Sequence, residues 1–280
     1  MPTGTLSADP FRTYNNPPLP TTKRKATMPG RPYILSETSW KAVRNTQFEV
    51  AVLPWGATEA HNYHLPYGTD NIQNDHVAAA AAGRAWNAGA RVIVLPGVPF
   101  GVNTGQLDVV LDINMNPSTQ LAVLGDVVDA LDHQGIPKLL ILNGHGANDF
   151  RQMVRELMPR TSLFICTVDW YRWIDPEIFE EPGDHAGEME TSLMQLLTPE
   201  WVLPLTEAGA GTEHPFKLKG LREGFAWAQR DWLKATDDTG AGNPGDASPE
   251  KGQRCLDQIA ARLGDFLVEL AAADVDDLYE

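Results

Sequence analysis

Cysteine is nearly absent from the chain: Cys166 and Cys255 are the only two in 280 residues. They share no close spacing, so neither a disulfide framework nor a thiolate metal site is written into the sequence. Both fall in apolar segments that read as a strand and a helix, where a thiol is inert. Basic residues are also scarce, with 22 Lys and Arg against 37 Asp and Glu and a formal net charge of −15. That balance disfavours nucleic acid or an anionic membrane surface as partner, since both are bound by clustered Lys and Arg. No apolar run approaches the roughly 18 residues that a membrane span requires. The first residues lack the apolar core of a signal peptide. The expectation is a reduced, cytoplasmic protein that binds neither nucleic acid nor membrane.

What is present is an ordinary globular composition, 42% hydrophobic and 21% charged, on a chain long enough for one sizeable core. Residues 1–32 are rich in Pro, Thr and Asn without hydrophobic periodicity, which reads as an extended or disordered arm. Phe11, Tyr14 and Tyr33 could anchor such an arm on a neighbouring subunit. Residues 33–280 read as a single catalytic domain without internal repeats. After a short helix in "ILSETSWKAV", apolar strands alternate with amphipathic helices. "FEVAVLPWG", "ARVIVLPGVPFG", "PKLLILNG" and "TSLFICTVDW" are the strands. "NIQNDHVAAAAAGRAWNAG", "NPSTQLAVLGDVVDALDHQG", "ANDFRQMVRELM", "AGEMETSLMQLL" and "SPEKGQRCLDQIAARLGDFLVELAAAD" are the helices. Asn116 with Pro117, and Ser248 with Pro249, mark helix starts, and Gly135 marks a stop. Such alternation predicts an α/β fold: a three-layer α/β/α sandwich around a mostly parallel sheet. Residues 205–247 read as loop-rich.

In open parallel sheets, sites gather at the carboxyl ends of the strands. The first strand exits into "GATEAH", where Glu59 and His61 point to one side if the chain stays extended. The third exits into "NGHGAN", where glycines leave the His145 imidazole uncrowded. The fourth exits into "DWYRW" and then "EPGDHAGEMETS", which supplies Asp184, His185, Glu188 and Glu190. Each motif alone has an ordinary structural reading: a solvated loop acid, a common His-Gly turn, acids placed on a helix N-terminus. His76 and His133 lie within helices and read as surface residues, while His64 is either a partner of the site or packed on Pro66. Three strand ends that deliver His and carboxylate to one edge of the sheet are harder to dismiss together.

"LPWGATEAHNYHLPYGTD", "LILNGHGAN" and "DHAGEMETSLM", in that order, resemble the creatininase family of metal-dependent amidohydrolases, and "TGAGNPGDASPEKG" resembles a further segment of that family. The likeness runs over about residues 36–270. It implies a creatininase-like fold and a ligand set of Glu59, His61, Asp70, His145 and Glu190. It further implies two divalent transition-metal ions per subunit, Zn, Mn or Fe, with Asp70 bridging them. Glu59 and His145 would complete one site, and His61 and Glu190 the other. His185 matches a proton-shuttling histidine, so His185 and Glu190 are the candidate catalytic residues. The implied chemistry is attack of a metal-bridging hydroxide on a substrate carbonyl. A carboxylate and imidazole set without thiolate is compatible with each of those metals, and an imidazole titrates near neutral pH. Family members are commonly ring-like homo-oligomers, often hexamers, and the same is expected here.

Three departures bear on the substrate. Asn62 and Tyr63 stand where the family usually has a glycine after the E-x-H histidine. "GVNTGQLDVVLDINMNPST" lacks the family's usual histidine and "FPGT" turn. The aromatic-bearing loop before the E-T-S helix is short, with Trp170, Tyr171 and Trp173 nearby. Asn62, Tyr63, Asn103, Gln106, Trp170 and Tyr171 are therefore the candidate substrate-binding residues, and Thr104 and Asn114 add hydrogen-bonding capacity. The expected substrate is a small, polar, cyclic molecule other than creatinine. Cleavage of a cyclic amide or formamide C–N bond ranks first. Ring-opening C–C cleavage of a cyclic ketone such as a keto-inositol stands close behind. An inactive metal-binding or structural subunit is the third alternative.

Overall fold

Alternation decides the architecture. In strand β1 (Val50–Trp55) every residue is buried, yet successive side chains enter different cores. Val50 and Val52 join one hydrophobic cluster, and Ala51, Leu53 and Trp55 join another. Strand β3 (Lys138–Asn143) does the same, with Leu140 and Leu142 on the first side and Leu139 and Ile141 on the second. A strand apolar on both faces must be covered on both faces, which is the situation of a parallel sheet between helical layers.

The protein is a computed structural model that describes residues 30–181 and 183–280. With β2 (Val92–Val94) and β4 (Phe164–Asp169), the central sheet runs β2-β1-β3-β4, all parallel. Its register sets Ala51 beside Leu139, Trp55 beside Asn143, and Asn143 beside Asp169, so three strands end level. A short N-terminal helix α1 (Trp40–Val43) precedes the sheet. Helices α2 (Thr69–Asn87), α5 (Glu188–Leu197) and α8 (Pro249–Ala272) cover one face; α3 (Pro117–His133) and α4 (Arg151–Leu157) cover the other. The α/β/α sandwich expected from the sequence is the fold observed. A two-stranded antiparallel ribbon of β5 (Gly183–His185) and β6 (Ala241–Gly242) stands apart from it. The loop-rich segment before β6 contains the short helices α6 (Lys219–Arg222) and α7 (Trp232–Ala235).

The helices form where the caps and spacing predict. Ser248 Oγ accepts the Lys251 N–H at the start of α8, and Pro249 follows it. Buried Cys255, Ile259, Leu263, Leu267 and Leu270 recur at helical spacing along α8 and face the alanine run of α2. Lys138, buried at the start of β3, donates from Nζ to Ala271 O at 2.9 Å and so satisfies a carbonyl at the α8 C-terminus. Among the described residues no helix is long and apolar enough to cross a membrane. Cys166 and Cys255 are free thiols, and burial pushes each up to about 12.

Of three local readings, one falls outside the described residues and two change. The arm expected over 1–32 lies, except for residues 30–32, outside the described residues. Tyr33 packs on its own α2, its ring 6.1 Å from that of Trp86. Helix α2 begins at Thr69 rather than Asn71, which moves Asp70 from the preceding loop into the first helical turn.

Helices α5 and α8 touch backbone to backbone at Gly252, where an added Cβ would fall 2.2 Å from Ser192 O. A Gly252→Ala protein must therefore separate two helices of one core layer. We expect a loss of about 1–3 kcal/mol, the range for overpacking, read as a lower denaturant midpoint with an unchanged slope.

Candidate metal centre

The four-stranded sheet delivers its chemistry at one edge. After Trp55, β1 gives way to a loop held by Glu59 N–H to Tyr67 O (3.2 Å) and by a bridge between Thr58 and Ile113. That loop carries Glu59 and His61 back toward the start of α2. After Asn143, β3 turns at Gly144, and the His145 N–H donates to Asn143 Oδ1 at 3.1 Å. Asn148 ties this turn down, donating to Asn143 Oδ1 (3.1 Å) and accepting from Val102 N–H (3.0 Å). Gly101 leaves room for the His145 ring, since a Cβ there would lie 2.8 Å from Cδ2. Asp70 sits in the first turn of α2 and Glu190 in the first turn of α5, where the helix dipole favours a carboxylate. Ala186 adopts a left-handed φ of 52°, at a cost of about 1–2 kcal/mol. The turn aims its N–H at Glu190 Oε2, 2.5 Å away.

These residues meet in two triads that share Asp70. Asp70 Oδ1 lies 3.0 Å from His61 Nε2, which is 3.8 Å from Glu190 Oε2. Asp70 Oδ2 lies 3.1 Å from His145 Nδ1, which is 2.8 Å from Glu59 Oε1. Glu59, Asp70 and His145 form one group able to hold an ion, and His61, Asp70 and Glu190 another. The five residues expected as ligands thus come together, and a third group, Glu59, His61 and His185, overlaps both triads. His185 stands beside them, with Nδ1 3.8 Å from Glu59 Oε1 and its ring 4.0 Å from that of His61.

Backbone carbonyls fix the imidazoles. His61 Nδ1 lies 3.1 Å from Glu59 O, His145 Nε2 3.1 Å from Val102 O, and His185 Nε2 2.8 Å from Ala60 O. A carbonyl only accepts, so in each neutral ring the proton sits on that nitrogen and the other lone pair faces the cluster. Glu59 is held as closely: Gln106 Nε2 donates to Oε2 at 2.5 Å. With its amide nitrogen turned inward, Asn103 donates to the same oxygen at 3.1 Å.

The residues fit divalent cations. Glu59 Oε1 and Asp70 Oδ2 are buried and accept no well-directed hydrogen bond, an expensive arrangement for ionised carboxylates unless a cation faces them. The electrostatics agree. Burial alone would raise the carboxyls of Glu59 and Asp70, yet the neighbouring imidazoles hold both below their ordinary range. Burial alone would lower His61, yet Asp70 and Glu190 push it up to about 10. His145 is likewise raised well above its ordinary value, against burial, by Glu59 and Asp70. Glu190 is raised, chiefly by burial. Without a metal, the acids draw protons onto the imidazoles.

The candidate substrate residues divide. Tyr171 lines a cavity of about 380 Å³ whose floor includes His185 and Glu190. Trp170 does not: it is 1% exposed and packs in the core under α8. Asn103 and Gln106 direct their amides at Glu59, and Asn114 accepts from Asn103 N–H at 2.8 Å. Asn62, at φ 53°, exchanges hydrogen bonds with Gly209 N–H (2.8 Å) and O (3.1 Å) and so staples a distant loop. Tyr63 is exposed. His64 bonds Thr191 Oγ1 at 2.9 Å, next to Glu190, and burial pulls it down to about 4, which keeps it neutral.

Two neighbours of the site gave no sequence signal. Trp232, at the start of the four-residue helix α7, places its ring edge-on, 5.2 Å from that of His185. Asp112 accepts the Ala60 N–H at 2.7 Å, and burial raises it to about 6.

Fold and site together define a hydrolase of the metal-dependent amidohydrolase class. The chain belongs to the creatininase family, whose profile, described as creatinine amidohydrolase, matches residues 36–267. It is similar to a candidate creatinine amidohydrolase of Bacteroides fragilis NCTC 9343. The two are 42% identical, with 89% of this chain and 99% of that one covered at a TM-score of 0.82. A manganese creatininase shares 21% identity, covering 86% of this chain and 99% of that one with a TM-score of 0.70. A mutant creatininase of Zn–Zn type shares 21% identity over 87% and 100% of the chains with a TM-score of 0.69. At that identity the likeness is one of fold. No functionally curated protein matches the chain.

His61 titrates higher folded than unfolded, so in the metal-free protein its contribution to stability is full below about 6.5 and is lost as pH rises through about 10. Asp70 is held low, so its contribution is present above the ordinary 3.8 and is lost as pH falls through the acid range. A ligating imidazole must be unprotonated. Zinc added to metal-free protein at pH 7 is therefore expected to release protons, seen with an indicator dye in weak buffer. Uptake of metal without proton release would contradict the protonated cluster.

Proposed function

We propose that the chain is a dinuclear metal-dependent hydrolase acting on the C–N bond of a small cyclic amide or formamide. The observation that carries this is the pair of buried triads sharing Asp70, with His185 alongside. Glu59, Asp70 and His145 would hold one divalent ion, and His61, Asp70 and Glu190 the second. Ions bound there lower the pKa of a water and polarise a carbonyl, which is the chemistry amide hydrolysis needs.

The chain's own groups do the rest. Because Nε2 of His185 is committed to Ala60 O, Nδ1 is the atom free to hold and give up a proton on the side of the cluster. Stacking on His61 and the edge of Trp232 keep the ring from turning. His185 thus supplies a proton to the leaving nitrogen at a fixed position. Trp232, 5% exposed, walls that position off from water on one side.

The same arrangement serves ring opening of a cyclic ketone, in which the leaving atom is carbon. The carboxylate-bearing cavity beside Glu190 favours keeping this second reading, since carboxylates accept hydrogen bonds from ring hydroxyls.

The protein works as a homo-oligomer. Support comes from the loop segment before α7, where Phe225 is 93% and Trp227 84% exposed, together with Val110 and Leu111 at 77% and 73%. Large apolar side chains exposed to solvent are candidates for contact between subunits. Sizing is expected to give a mass several times 30.7 kDa, and a monomer at micromolar concentration would refute it.

Metal analysis is expected to find about two transition-metal ions per subunit, the number two triads hold, and Asp70→Ala is expected to lose both. His185→Ala keeps the ions and lowers kcat by about 10²–10⁴, the usual weight of a general acid. Absence of metal from every preparation, or an unchanged kcat in His185→Ala, would overturn the reading.

A further inference from the structure

Of the five clustered side chains, that of Glu190 is the most exposed. Side chains of Glu59, His61, Asp70 and His145 are 1%, 0%, 2% and 6% exposed, whereas that of Glu190 is 12% exposed. Glu190 and His185 form part of the wall of the cavity of about 380 Å³ between the β4 exit and the start of α5. That is room for a single substituted ring.

The polar character of this wall is one-sided. Asp175, Glu180, Glu181 and Glu188 line it, and among the described residues no Lys or Arg does. Of two nearby cations, Lys251 is paired within the wall itself and Arg172 outside it. Lys251 pairs with Glu180 and Glu188, and its third donor goes to Asp246 O at 2.8 Å. Arg172 is 3.4 Å from Asp169 and lies over the Tyr171 ring. Glu188 is fully engaged, accepting from Glu180 N–H and Glu181 N–H at 2.9 and 2.8 Å on one oxygen and from Lys251 on the other. One Asp175 oxygen accepts the Glu177 N–H at 3.0 Å. Among the described residues no group bonds the exposed carboxylate of Glu181 or the second oxygen of Asp175, so both keep acceptor capacity for a ligand.

Resting on the hydrolase reading above, we infer that this cavity selects a ring-sized substrate that is not anionic and that presents N–H or O–H donors toward Asp175 and Glu181. A carboxylate is an acceptor and repels anions, so it binds hydroxyl or ammonium groups and rejects carboxylate or phosphate groups at the same place. The metal-facing end of the substrate is the carbonyl. The opposite end is a donor, and Glu181 is the side chain that sets this preference.

Three five-membered lactams, carrying a hydroxyl, an ammonium or a carboxylate on the same ring carbon, test this by calorimetry on the zinc-loaded protein. The hydroxyl and ammonium lactams are expected to bind roughly fivefold or more tightly than the carboxylate lactam, the scale of one or two partly exposed charge contacts. A tighter hydroxyl than ammonium lactam assigns a polyol-like substrate, and the reverse order an amine. Glu181→Lys is expected to narrow or invert the ammonium-to-carboxylate ratio. Equal binding of all three, no binding of any, or an unchanged ratio in Glu181→Lys would overturn the inference. Binding is read apart from turnover, so ordered binding without hydrolysis refutes the hydrolase reading and leaves the selectivity standing.

Discussion

Three carboxylates and two imidazoles are buried against one another at the edge of the central sheet, and Asp70 is the residue that joins them. Each of its oxygens faces a different imidazole, His61 on one side and His145 on the other. A buried carboxylate is tolerated only when paired, and here the supply of buried negative charge exceeds what two imidazoles can neutralise. Everything around the cluster follows from that shortage of positive charge. The imidazoles are driven toward protonation, and buried oxygens of Glu59 and Asp70 are left without well-directed partners. Divalent cations held by these residues, as proposed above, would answer both problems together.

Several buried polar groups of the scaffold keep this cluster in place. The three histidines are each tethered by a main-chain carbonyl, which fixes both tautomer and ring plane. Gln106 and Asn103 grip Glu59, Asn148 laces the His145 turn, and His64 supports Thr191 beside Glu190. Such restraint is what a preorganised centre requires, because a ligand free to swing would lose both metal geometry and proton placement.

The sheet and its two helical layers were legible because the relevant signals are periodic: apolar runs with period two on both faces, and capped amphipathic helices. Glu59, His61, Asp70, His145 and Glu190 were legible because several short motifs occur in one order, and the structure brings them together. The sequence does not show where Asn62, Asn103, Gln106 and Trp170 direct their side chains, for a common physical reason. An amide or an indole near a site can serve the substrate, the ligands or the core, and only the direction of the side chain decides. Asn62 staples a loop 147 residues away and Trp170 fills the core. Neither direction leaves a trace in local spacing. Trp232 was missed because the helix that presents it, α7, is a single turn too short to show a period.

Lys251 and Gly252 occupy neighbouring positions of α8 and do opposite things. One reaches over the cavity wall to hold Glu180 and Glu188, and the other withholds a side chain so that α8 can touch α5. Glu188 and Glu190 both belong to α5, so the wall and the floor of the cavity move with that contact. The width of the space offered to a substrate is therefore a helix-packing distance, set by the absence of one methyl group in the core rather than by any residue the substrate would meet.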